Sequence, residues 1–66
     1  MTITVNGAIE SLTDACTLPV FLQSKGLEPK TVVVEINGDI PDKAQWNDIV
    51  IKEGDTLEIL KFMGGG

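Results

Sequence analysis

Few residues in this sequence have the types and spacing that chemistry needs. Histidine is absent, which removes the commonest general base and with it the usual Ser/His and Cys/His nucleophile pairs. The single cysteine, Cys16, excludes an internal disulfide framework and a Cys-only zinc site. Placed just ahead of a helix, it reads as a small apolar packing residue, with a sulfur-bearing role as the alternative. Glu53 and Asp55 flank Gly54 and read as turn and solvation residues rather than an acid/base or metal pair, with Asp55 expected to stabilise the turn before the last strand. What remains is the final stretch, Lys61-Phe62-Met63-Gly64-Gly65-Gly66. Glycine has no Cβ, so a glycine tail can enter a narrow channel and leave its carboxylate unhindered. Three extended residues span about 10 Å, enough to carry a carboxylate from one protein's surface into another's active site. A frayed terminus is what such a thread requires. The expectation is a reactive carboxylate at Gly66, threaded by Gly64 and Gly65; an incidental loose end is the alternative.

A carboxylate on a thread needs a body to present it, and the composition suits a small one. The sequence has 66 residues, 42% hydrophobic and 23% charged, enough for one domain with a thin core. The predicted division is a body over residues 1–63 and a flexible tail over 64–66. No apolar run approaches the roughly 20 residues of a membrane span. No basic segment followed by an apolar stretch opens the sequence, so no signal peptide and a cytoplasmic location are expected. The net charge is −5, and the lysines at 25, 30, 43, 52 and 61 are scattered, with no arginine. That pattern argues against phosphate-backbone binding and for a partner with a basic surface, or simply for solubility.

The elements follow from periodicity. Met1 to Val5 alternates, with Ile3 and Val5 on one face. Asn6-Gly7 is a hairpin signal, since both turn positions need positive φ, and Ala8 to Leu12 is the returning strand. Thr17 is the expected N-cap of a helix from Leu18 to Lys25, with Pro19 in the tolerant first turn. Leu18, Phe21 and Leu22 share a face, Gly26 stops the helix, and Leu27 packs back. Thr31 to Asn37 is strongly β-prone, Asn37-Gly38-Asp39 turns, and Pro41 to Asp48 is irregular around Trp46. Ile49 to Ile51 is a short strand, Glu53-Gly54-Asp55 a turn, and Thr56 to Phe62 the last strand. One helix can cover only one face of such a sheet. The predicted fold is α+β: a β-grasp roll with a mixed sheet of four to five strands and the helix across one face.

In the last strand Leu57 and Ile59 point one way, and Leu60 and Phe62 the other. With the first pair facing the helix, Leu60, Phe62 and the adjoining Met63 form a predicted docking surface beside the tail. Cover by Trp46 or a loop is the alternative.

This order of elements, closing on a bare Gly-Gly, resembles the ubiquitin-like sulfur carriers, and among them most closely the thiamine-biosynthesis group, ThiS. The resemblance spans the sequence through "ITVNG", "TLPVFLQSKGL", "VVVEINGDIPDKAQW" and "EGDTLEILKFMGGG"; the turn with its Trp and the closing strand with its glycines are the specific parts. Pro19, Cys16 and a Pro41 offset by one residue depart from the pattern. The resemblance implies a carrier with no catalytic residues, no metal and no bound cofactor. Its Gly66 carboxylate would be adenylated with ATP and Mg by an adenylating enzyme similar to ubiquitin-activating enzymes. Sulfur from a donor such as a cysteine desulfurase would then convert it to a thiocarboxylate, and thiazole synthase would receive that sulfur. The small subunit of molybdopterin synthase shares the fold and the terminal chemistry, but tends to carry a proline pair where this sequence has Lys61-Phe62. A ubiquitin-like modifier conjugated through Gly66, and a regulatory or RNA-associated β-grasp module, are further alternatives; the acidity disfavours the last.

Overall fold

The computed structural model describes residues 1–62. Strand β1 (Thr2–Val5) and strand β2 (Ala8–Ser11) form an antiparallel hairpin in the register Thr2↔Ser11 to Val5↔Ala8. Asn6 and Gly7 take φ of +50° and +83°, the two positive values of a twist-matched two-residue turn. A two-residue strand β3 (Cys16–Thr17) leads directly into helix α1 (Leu18–Ser24). A 3-10 turn at Pro29–Thr31 precedes strand β4 (Val32–Ile36), and a second 3-10 turn at Lys43–Asp48 precedes strand β5 (Val50–Ile51). Strand β6 (Thr56–Lys61) is the last element described.

The main sheet has the order β2-β1-β6-β4. β6 runs parallel to β1 and antiparallel to β4, so the β-grasp expectation of a mixed sheet holds with four strands. β5 pairs instead with β3, in a separate two-stranded ribbon. Helix α1 packs on one face of the sheet through Leu18, Phe21 and Leu22, which join Ile3, Val34 and Leu57 in the core.

Local chemistry explains the helix ends. Gly26, at φ +73°, follows the last turn; its N–H donates to Gln23 O and that of Leu27 to Leu22 O, the paired closure of a Schellman motif. At the other end the expected cap is absent: Thr17 occupies the N-cap position, but its side chain makes no capping hydrogen bond. Thr17 is engaged in pairing with Val50, and the Leu18 N–H donates to Ile49 O at 2.9 Å instead. The ribbon, which the periodicity did not show, does the capping. The stretch expected to be irregular is the second 3-10 turn. It buries Trp46, whose Nε1–H donates to Pro41 O at 3.3 Å.

Candidate functional site

Strand β6 carries the chain to the residues of interest, and side chains from three turns fix it in place. At its start Asp55, only 6% exposed, accepts hydrogen bonds from the Lys52 N–H at Oδ2 (3.0 Å) and from Asn37 Nδ2 at Oδ1 (3.1 Å). Its own carbonyl accepts from the Thr4 N–H at 2.9 Å. This confirms the turn-stabilising role expected of Asp55. Glu53 Oε1 accepts from the Thr2 N–H at 2.8 Å. Both carboxylates therefore hold backbone.

Asn37 contributes more than a turn. Its positive φ of +50° directs its amide at β6, where Oδ1 accepts from the Thr56 N–H at 2.9 Å while Nδ2 holds Asp55. Asn6 repeats the arrangement further along. The parallel ladder between β1 and β6 runs through Thr4↔Thr56 and Val5↔Leu57, and at Asn6 the chain turns away. The Asn6 side chain supplies the next rung: Oδ1 accepts from the Ile59 N–H at 2.7 Å, and Nδ2 donates to Ile59 O at 3.2 Å. A primary amide has one donor face and one acceptor face, as a peptide group has, so the side chain stands in for backbone.

Beyond Ile59 the strand keeps only β4 as a neighbour among the described residues. Leu60 and Lys61 lie opposite Val33 and Val32, and the Phe62 N–H donates to Thr31 O at 2.7 Å. Alternation places Leu57 and Ile59 in the core, as predicted, and turns Leu60 to the open face with 68% exposure. Phe62 is 51% exposed. It has passed the last strand residue and also lines a shallow groove with Val33, Ile40, Pro41, Lys43 and Trp46. Trp46 is buried within the body and does not cover Leu60. The loop before it borders Phe62 and leaves half of that side chain free. Met63, Gly64, Gly65 and Gly66 lie outside the described residues.

Cys16 lies half-buried against the core, opposite Ile51. Among the described residues no three His, Cys, Asp or Glu side chains are grouped to hold a metal ion, and no helix is long and apolar enough to cross a membrane. Sequence reasoning read both Asn-Gly pairs as turns and missed their second task. The available signal was the residue type: Asn in both places, where Asp would turn the chain as well but would lack the donor.

The described strand, together with the residues beyond it, matches a known pattern: the family model described as "ThiS family" aligns with residues 2–66. The chain belongs to the ThiS family. Among relatives of this ThiS-family chain, the sulfur carrier protein ThiS of Bacillus subtilis is 38% identical over 53 residues, 80% of each protein. A thiazole synthase from Paramagnetospirillum magneticum is 32% identical over 66 residues, covering all of this chain and 20% of that protein. This chain thus spans about a fifth of the length of the thiazole synthase it matches. The crystal structure of the thiamine biosynthesis protein ThiS from Geobacter metallireducens superposes with a TM-score of 0.85 at 30% identity, over the full length of both chains.

Proposed function

We propose that this ThiS-family chain is a sulfur carrier of thiamine biosynthesis that acts as a protein co-substrate, with the reactive group at Gly66. A free carboxylate is a poor electrophile, so an adenylating enzyme similar to ubiquitin-activating enzymes would use Mg-ATP to make the acyl-adenylate. A persulfide sulfur from a cysteine desulfurase or similar donor would displace AMP to form an acyl disulfide. A thiol attacking the donor-side sulfur would then release the thiocarboxylate, leaving that thiol and the donor joined as a disulfide. Thiazole synthase would then take the sulfur. Gly64 and Gly65 would thread the partner's channel, while Leu60, Phe62 and Met63 dock the body beside it. The observation that carries this reading is the family match running through to Gly66. The thiazole synthase relative supports the choice of partner, since a counterpart of the entire chain lies within that protein.

The chemistry asked of this chain's own residues is small. Glu53 and Asp55 hold backbone N–H groups, and acid/base steps would fall to the partners. Intact mass spectrometry after incubation with the cognate adenylating enzyme, Mg-ATP, sulfur donor and a thiol reductant tests the proposal. One oxygen exchanged for sulfur, mapped to Gly66, is expected for wild type and equally for Cys16→Ala. A fully supplied reaction that leaves the mass unchanged sinks the carrier reading, isopeptide adducts would indicate a modifier, and loss of sulfur acceptance in Cys16→Ala would move the site to that thiol.

A further inference from the structure

The open face of the sheet, opposite α1, carries a charge pattern that the fold does not neutralise. Across β4 and β6 the register places Val33 opposite Leu60 and Glu35 opposite Glu58. The ladder bonds Phe62 N–H to Thr31 O and Asn37 N–H to Thr56 O put both pairs at hydrogen-bonded positions, where facing Cα atoms are about 5.5 Å apart. Two residues of strand separate the pairs, about 7 Å. An apolar row and an acidic row therefore lie side by side, and the apolar row is the one nearer the tail.

Like charges directly opposite one another destabilise a sheet. Neither Glu35 nor Glu58 has a salt-bridge partner among the described residues; the ion pair found there joins Lys25 to Glu10, which shares its face of the sheet with Ile3 and the helix. Glu58 is exposed and Glu35 half-exposed, so both carboxylates are available to another molecule. The chain as a whole carries −5.

We infer that the Glu35–Glu58 pair, with Val33 and Leu60 beside it, is a docking strip for a protein surface that presents an arginine next to an apolar side chain. Charge complementarity selects a cation, and geometry selects its kind. A guanidinium is a planar fork with five donors that can serve two carboxylates at once, whereas an ammonium is a compact point charge. The strip is continuous with β6 and hence with the tail, which both the adenylating enzyme and thiazole synthase receive. Of the two, the synthase is the one with a relative that contains a counterpart of this entire chain, and it is taken as the occupant. This rests on the reading above, and it assigns that occupant as thiazole synthase.

The experiment measures binding of the intact carrier to the cognate thiazole synthase by titration calorimetry at low and high salt, alongside thermal melting of the carrier alone. Glu35→Gln/Glu58→Gln removes the charge and keeps the shape. The expected result is at least tenfold weaker binding, a flatter salt dependence and an equal or higher melting midpoint, because the repulsion is gone. Glu58→Lys is expected to bind more weakly still. Unchanged affinity and salt dependence in the double variant would overturn the inference while leaving the carrier reading intact. Weaker binding accompanied by a lower midpoint would overturn it too, since the carboxylates would then be structural. If wild-type carrier shows no binding to the synthase, both the assignment and the choice of partner behind it fail.

Discussion

At the scale of single residues, two asparagines do work that their neighbours cannot share. Asn6 and Asn37 each sit at positive φ and each use their side-chain amide on the backbone of β6. Asn6→Asp keeps the size and the turn conformation but replaces the donor with a second acceptor facing Ile59 O. A buried or half-buried group left without its partner costs about 1–3 kcal/mol, and a loss in that range is expected in urea unfolding. Asn37→Asp should cost more than Asn6→Asp, because it sets a carboxylate against the buried carboxylate of Asp55. Equal losses at the two sites would remove the repulsion by Asp55 from the account, and effects below the error of the measurement at both would show that the turns alone hold β6. The turns were legible in the sequence because Asn-Gly has a local conformational cause. The amide contacts were not, since the strand they reach lies far along the chain and is brought near only by the topology.

At the scale of elements, β6 separates buried from exposed side chains by simple alternation. Leu57 is fully buried, and Leu60 is mostly exposed. Leu57→Ala is expected to destabilise by about 2–5 kcal/mol, the range for large-to-small changes in a core. Leu60→Ala is expected to cost less than about 0.5 kcal/mol of stability, as exposed substitutions do, yet to weaken binding to thiazole synthase by about tenfold or more, as for an anchor side chain at an interface. Chemical denaturation and calorimetry on the same two proteins check this, and a Leu60→Ala variant that binds as wild type would remove Leu60 from the docking surface. Sequence reasoning succeeded on β6 and on α1 because period-2 and i, i+3, i+4 patterns are written locally. It missed β3, and it expected a side-chain cap at Thr17 that does not form, because a two-residue strand has no period to read. Pairing with Val50, and the Ile49 carbonyl that receives the Leu18 N–H, arise only when the chain has folded. The 3-10 turn at Lys43–Asp48 was hidden for the same reason: its shape is set by burying Trp46.

At the scale of the whole molecule, the sheet joins the two ends of the sequence. β1 pairs in parallel with β6, so Thr4 lies beside Thr56, and that pairing must close a loop of most of the chain before it returns any stabilisation. The core that offsets this cost is thin, with eleven buried apolar side chains among the described residues, of which Ile59 is the last in sequence. The last ladder bond described is donated by Phe62. The core and the ladder among the described residues close by residue 62, and a deletion tests whether the body needs the glycines as well. Deleting Gly65 and Gly66 is expected to leave the unfolding free energy within about 0.5 kcal/mol of wild type while abolishing sulfur acceptance in the mass-spectrometric assay. Binding of the truncated body to thiazole synthase should persist in weakened form, because Leu60 and the Glu35–Glu58 pair remain. If the truncation lowered stability by 2 kcal/mol or more, a change that surface residues rarely produce, the tail would be part of the packed body. A thread that must leave that body to enter a partner could not also be holding it together.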